Sequence, residues 1–261
     1  MNLDLLNKIK QDTLLVPMPD LEPSDEFAGI YLHSNKPFTL ADHEAPIRGF
    51  RVFSKFKYPI LLFISPESLT PDVDYLVDKY DIDVRLIPKL NDIIEFNEFC
   101  LDYLHYLIPE RLNQLIVIQA DGWIIKSGWE DMTKGYSWLG AKWKEPIQVM
   151  EETFNLPPVE IGNGGACFRR RDKCLEVLEI LKKFGGRKNI IKGIKIFEDP
   201  PRISYGNFLA EDIILCYFGF GLGIFEPVSY EVVDKFSLEP IEYSQYLDLE
   251  KRSHFFHRID K

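Results

Sequence analysis

Cysteine is scarce, a basic excess is missing, and no apolar run is long enough to cross a bilayer. The 261 residues include four cysteines, Cys100, Cys167, Cys174 and Cys216. Their spacing forms neither a C-x-x-C pair nor a zinc-ligand pattern, which argues against a zinc finger and a disulfide framework. Such usage predicts a reduced, cytosolic protein whose thiols sit in the core. Lysine and arginine number 31 against 41 aspartate and glutamate, a net charge of −10. A duplex-binding protein needs a basic stripe to neutralise phosphates, and the longest basic cluster, RRR at 169–171, is followed at once by Asp172. No nucleic-acid partner is expected. No stretch approaches the ~20 apolar residues of a transmembrane segment, and the opening MNLDLLNKIKQD lacks the apolar core of a signal peptide. Repeats, low-complexity tracts and Ser/Gly linkers are missing too, so the chain reads as one domain over 1–261.

What is present favours a large core. Hydrophobic residues make up 46% and aromatics 13% of the chain, enough for an α/β domain of this length. TLLVPMP (13–19) reads as a first strand. YPILLFIS (58–65) is apolar without a break, the pattern of a strand buried on both faces. SLTPDVDYLVDKY then predicts a helix with a Ser or Thr cap and proline in its first turn. DVRLIPK (83–89) alternates like a strand, NDIIEFNEFCLDYLHYLI (91–108) has helical spacing, and LIVIQ (115–119) predicts another buried strand. This alternation implies a mostly parallel sheet with helices on its faces, and such sheets bind ligands at the carboxyl ends of their strands. The second half is less regular. VEIGNGGACFRR (159–170) reads as strand, glycine turn, strand, and 171–186 as a helix with a glycine stop. Residues 191–208 read as a polar loop and 209–220 as a helix.

Four places carry groups fit for chemistry. In QADGW (119–123), Asp121 follows a hydrophobic strand, so a rigid element holds its carboxylate near the strand-end crevice. A carboxylate there suits Mg²⁺ or Mn²⁺, while Asp-Gly is equally a common turn dipeptide. GNGG (162–165) makes a turn that side chains do not crowd, either a plain hairpin or a place where Asn163 and backbone amides approach a ligand. Glu211 and Asp212 open an apolar helix; they either answer the helix dipole or set a general base in a cleft. His254 and His257 close the chain in SHFFHRID, as packed residues or as a metal ligand.

The order of these pieces resembles the GT-A (nucleotide-diphospho-sugar transferase) glycosyltransferases of unassigned substrate. Members run an apolar strand into Q-x-D-G, then a segment like YIGAPW, then GNGGFSLR, ED at a helix start, and a closing FGFH. The matching residues are Gln119-Ala120-Asp121-Gly122, 136–143 (YSWLGAKW), 162–169 (GNGGACFR), Glu211-Asp212 and 254–257 (HFFH). The resemblance implies a GT-A-like α/β fold with helices on both faces of a mixed sheet. In it a Rossmann-like nucleotide-binding half, about 1–125, is fused to an acceptor-binding half, about 126–261. It implies transfer of a hexosyl or deoxyhexosyl group, with inversion, from a nucleotide-diphospho-sugar to a hydroxyl of a glycan or other acceptor, as in polysaccharide biosynthesis. Asp212 would be the base, with Glu211 as its substitute. Gln119, Asp121 and Gly122 would meet the donor, with Asp121 and His257 as ligands of Mn²⁺ or Mg²⁺. Asn163, Gly164 and Gly165 would line the sugar or acceptor site, and Trp123, Trp138 and Trp143 are candidate stacking platforms. The chain departs from the pattern at Gln119, which replaces the first aspartate of the D-x-D motif, and at Phe255, which replaces the glycine of FGFH. Two other classes compete. A nucleotidyltransferase would carry a GxGTRL-like loop after the first strand, and VPMPDLEPSDEFAG (16–29) has none. A non-catalytic protein binding a nucleotide sugar or glycan on the same fold is consistent with the incomplete D-x-D motif.

Overall fold

The computed structural model describes residues 27–125, 128–205, 209–238 and 253–257, with Phe256 and His257 described by their backbone alone. The strand expected at 13–19 lies outside these residues. Four strands come first: β1 Phe27–His33, β2 Ile60–Ile64, β3 Ile82–Leu86 and β4 Gln114–Ile118. Between them lie α1 Glu44–Lys55, α2 Pro71–Tyr80 and α3 Ile93–Phe99, the last continuing through a π-helical turn at Cys100–Leu104 to Leu107. The helix starts follow local chemistry. Thr70 and Pro71 open α2, and the Asp92 side chain accepts from the Ile94 and Glu95 amides at the head of α3. The four strands pair in parallel in the order β3-β2-β1-β4. That is the Rossmann-like arrangement, whose strand order reverses at β1 and opens a crevice between β1 and β4.

The remaining elements are β5 Gly122–Ile124, α4 Trp129–Thr133, β6 Trp138–Glu151, β7 Val159–Arg170, α5 Arg171–Lys183, α6 Arg187–Ile190, β8 Ile191–Ile196 and β9 Arg202–Tyr205. They are followed by α7 Glu211–Gly221, α8 Tyr230–Phe236, β10 Ser237–Leu238 and β11 Phe255–His257. Antiparallel pairing of β7 with β4 extends the sheet to eight strands, β3-β2-β1-β4-β7-β6-β8-β9. A second, three-stranded sheet runs β10-β11-β5. The expected mixed α/β architecture is therefore present.

Helices cover both faces, and the strands explain why. Leu61 and Phe63 of β2, with Leu115 and Val117 of β4, pack with α3, α5 and α7 in one core. Their neighbours Ile60, Leu62, Ile64, Ile116 and Ile118 pack with α1, α2 and α8 in the other. Alternate side chains point to opposite faces of a strand, so a run with no polar member needs a helix layer on each side.

Two expectations are corrected. Residues 159–170 form one continuous strand, β7, and the glycines lie within it. Residues 191–208, expected as a loop, contain the β8–β9 hairpin, in which Gly193 pairs with Tyr205 and Ile196 with Arg202. All four residues of β9 are exposed on the sheet edge, so it lacks the buried alternation that marks a strand in sequence.

Candidate functional site

The glycines of β7 are the contact surface for two other segments. Gly162 and Gly164 occupy alternate positions and meet Cys216 and Asp212, one turn apart on α7. A Cβ on Gly162 would lie 2.2 Å from the Cys216 Sγ, and one on Gly164 would lie 3.0 Å from the Asp212 Cβ. Gly162 also has φ +143°, a conformation that disfavours any side chain. On the β4 side, the Gly165 carbonyl accepts from the Gln119 amide at 2.8 Å. A Cβ on Gly122 would lie 2.2 Å from that same oxygen. Glycine in this strand therefore allows backbone-level approach from both sides. The structure brings 119–122, 162–165 and 211–212 to one junction.

At that junction the two acids differ. Glu211 is buried and bound by both terminal nitrogens of Arg169, at 3.0 and 3.1 Å. Its backbone amide donates to the Asn97 Oδ1 at 2.8 Å. The neighbouring Asp212 is partly buried and accepts from the Gly164 amide at 2.9 Å and from the Ile213 amide at 2.8 Å. Burial first, and the Glu211 charge second, push its pKa from 3.8 up to about 6, against the pull of those two amides and of Arg169. A carboxyl titrating there can take up and release a proton near neutral pH.

Gln119 to Gly122 form a tight turn, closed by the Gly122 amide donating to the Gln119 carbonyl at 3.0 Å. The turn leads from β4 into β5, which accounts for the aspartate and glycine after an apolar strand. Asp121 is exposed at its tip, on the rim of a cavity of about 390 Å³ at the β1–β4 crevice. Its carboxylate is near Tyr31, whose hydroxyl is raised above its ordinary pKa by burial and then by the Asp121 charge. The cavity is also lined by His33, Ser34, Lys36 and His43, which sequence reasoning missed. His33 holds the Lys36 carbonyl at 2.7 Å and His43 the Thr39 carbonyl at 2.8 Å, which fixes one N–H on each ring. The other two nitrogens stand 3.3 Å apart. Burial lowers both histidines, His33 to about 4. The available signal is the position of His33 at the end of a buried strand, but FAGIYLH, with its glycine and histidine, does not read as one in sequence.

The other expected residues are scattered around the junction. Asn163 is buried, and its side-chain oxygen accepts from the Gly165 amide at 2.9 Å. Trp143 packs against Gly162 and is 9% exposed. Trp123, 8% exposed, lines a different cavity with Arg48, Arg51, Tyr75 and Lys79. Trp138 is a core residue, stacked on Phe225 at 5.9 Å and lying under the Arg169 guanidinium at 4.4 Å. The backbone of β11 pairs His257 with Gly122, which brings the chain's tail to the Asp121 turn; the His257 side chain lies outside the described residues. Among the described residues, no three of histidine, cysteine, aspartate and glutamate are grouped closely enough to hold a metal ion. The described side chains therefore do not form a protein-only metal site. No helix among them is long and apolar enough to cross a membrane.

The chain belongs to the family described as "protein of unknown function (DUF5672)", whose model matches residues 81–254. No curated protein matches it. Among solved structures it is similar to mouse xyloside xylosyltransferase 1 in its apo form, at 10% identity and a TM-score of 0.42, covering 89% of this chain and 96% of that one. A likeness at that level bears on neither substrate nor chemistry.

Proposed function

For this member of the DUF5672 family we propose a glycosyltransferase that moves a sugar from a nucleotide-diphospho-sugar to an acceptor hydroxyl, with inversion. The observation that carries the reading is the junction itself. Segments far apart in sequence meet there: Gln119 and Asp121 line the strand-end cavity, the Gln119 amide is bonded to the Gly165 carbonyl, and the Gly164 amide is bonded to Asp212, whose carboxyl is raised to about 6. On this reading Asp212 takes the acceptor proton as the acceptor oxygen displaces the nucleotide diphosphate at the anomeric carbon. Glu211 does not share that role, because Arg169 occupies both of its oxygens. The donor lies along Gln119, Asp121 and Gly122, and Asn163, Gly164, Gly165 and Trp143 border the transferred sugar or the acceptor. The reading treats 1–261 as one domain, with donor and acceptor halves meeting at β4 and β7.

A divalent ion, Mn²⁺ or Mg²⁺, would enter with the donor, since such ions take oxygens from substrate phosphates and few from protein. Asp121 and His257 are its candidate ligands, and no step above depends on it. A second reading, a non-catalytic protein that binds nucleotide sugars or glycans, draws support from Gln119 at the first D-x-D position.

Thermal unfolding with UDP, GDP, CDP, dTDP and their sugar conjugates, each with Mn²⁺ or EDTA, tests the donor site. A ligand at about 100 times its dissociation constant stabilises the fold by roughly 2.7 kcal/mol. One nucleotide standing out, with sugar transfer or donor hydrolysis lost in Asp212→Asn, supports the transferase. Binding with no turnover by the unaltered protein supports the second reading. No response to any nucleotide sinks the transferase reading and leaves the second reading as a glycan-binding protein.

A further inference from the structure

Arg169 is a long charged side chain with no exposure, five positions beyond Gly164 on the same strand. Its head group lies on the Trp138 ring, one terminal nitrogen also reaches the Cys167 sulfur at 3.2 Å, and both terminal nitrogens hold Glu211. The arrangement is costly to keep for stability alone. Two charges taken out of water recover little more than their desolvation cost, and an apolar pair of similar volume often serves as well. What a charged, forked contact adds is direction, because a bidentate guanidinium–carboxylate pair fixes the plane and distance of both partners.

The direction matters because of what lies next to Glu211. β7 and α7 are tied at two points, Arg169 to Glu211 and the Gly164 amide to Asp212. The Asn97 Oδ1, from α3, accepts from the Glu211 amide and fixes the first turn of α7 against a third element. We propose that Arg169 is a positioning residue of the candidate active site, holding Glu211 so that Asp212 alone of the acid pair presents a carboxylate at the Gly164 edge. This rests on the transferase reading only for the chemistry assigned to Asp212; the coupling between Arg169 and Asp212 is a property of the fold.

The groups around Asp212 make the coupling measurable. Its own helix contributes Glu211, the Ile213 amide and Cys216; β7 contributes the Gly164 amide, Cys167 and Arg169; and the π-helical turn contributes Cys100. The thiols are pushed up by burial and stay neutral, so Glu211 and Arg169 are the charges that act on Asp212 at neutral pH.

The test is the paired variant Arg169→Met/Glu211→Leu, which leaves no unpaired buried charge, beside the milder Arg169→Lys. Carbon-13 NMR of the Asp212 carboxyl reads its titration without reference to activity. In the paired variant we expect a midpoint below that of the unaltered protein, because the Glu211 charge is gone. We also expect transfer reduced about tenfold in kcat, with the donor KM unchanged and the acid limb moved to lower pH. Arg169→Lys, which keeps the charge and loses the fork, should fall between the two. A paired variant that folds with the same Asp212 midpoint and the same pH–rate profile overturns the proposal and leaves Arg169 as packing. Should the paired variant not fold, Arg169→Lys decides alone: a folded protein with unchanged titration and profile overturns it equally. If no nucleotide sugar is turned over by the unaltered protein, the transferase reading fails while the NMR titration still decides the link.

Discussion

The two halves of the sheet are built by different rules. In β2 and β4 every position except Gln114 is buried, and the strands are held by apolar side chains packed between helix layers. In β7 the critical positions carry no side chain at all: α7 sets its Cys216 and Asp212 side chains against the bare strand, and the 119–122 turn meets it backbone against backbone. The first kind of strand tolerates adjustment, because a methyl group can shift within a packed core. The second does not, because a carbonyl oxygen in a sheet cannot move without breaking its ladder. The candidate site lies where the rigid kind meets the parallel half, so its geometry is set by glycines and by one fixed acid pair.

The largest effect that would break this contrast is on chemistry. Asp212→Asn should lower transfer by about 10²–10⁴-fold, the usual worth of a general base, with the fold retained. Initial rates and thermal unfolding on the same preparation check it. Next come the glycines. Gly122→Ala would put its Cβ 2.2 Å from the Gly165 carbonyl oxygen, whereas in Gly49→Ala the nearest atom, at 2.7 Å, is the end of the Ile118 side chain. We expect Gly122→Ala to lower unfolding free energy by ~3 kcal/mol or more, at or above the upper range for overpacking, and Gly49→Ala by about 1 kcal/mol. Equal losses in urea titrations would remove the distinction between the halves. Gly164→Ala, with its Cβ 3.0 Å from the Asp212 Cβ and 3.3 Å from its Oδ2, should cost more in rate than in stability.

Smaller, and sharper in sign, is the pH dependence. Asp212 titrates at about 6 in the folded chain against 3.8 ordinarily, so between about pH 4 and 6 the folded state holds its proton more tightly than the unfolded state. Its contribution to stability is therefore greatest in acid and declines as pH rises through that window. Activity runs the other way, falling about tenfold per pH unit below 6 as the base is protonated. Asp212→Asn should flatten its share of the stability curve; an unchanged slope would mean that another group titrates there. The smallest change is on the exposed edge. Arg202 pairs with Glu198 at 3.3 Å with both side chains well solvated, so Arg202→Ala should stay within about 0.5 kcal/mol. A larger loss would show that β9 is not the solvated edge its exposure implies.

Much of the parallel half was legible in sequence. Apolar runs, the Thr-Pro start of α2 and the Asp92 cap are local signals, and they gave the strands and helices from 58 to 119. β1 and α1 were missed, because FAGIYLH carries a glycine and a histidine and α1 opens with no side-chain cap on its amides. The second half was less legible. Glycines that read as a turn serve in β7 to admit a helix, a use that depends on what packs there. At the site, Asp121, Glu211 and Asp212 stand out in the sequence, yet nothing local distinguishes Glu211 from Asp212. Arg169, the first residue of the basic run at 169–171, makes the difference.

By itself the sequence determined the alternation of buried strands and helices, the parallel pairing that follows from it in the first half, and the short list of acids and glycines at strand ends. Those depend on periodicity and capping, which act over a few residues. The tertiary structure alone decided that Glu211 is bound and Asp212 is tuned, that the GNGG segment is strand, and that His33 and His43 share a cavity with Asp121. Each of these is set by a partner tens of residues away, and burial and charge act through space with no record in the local pattern.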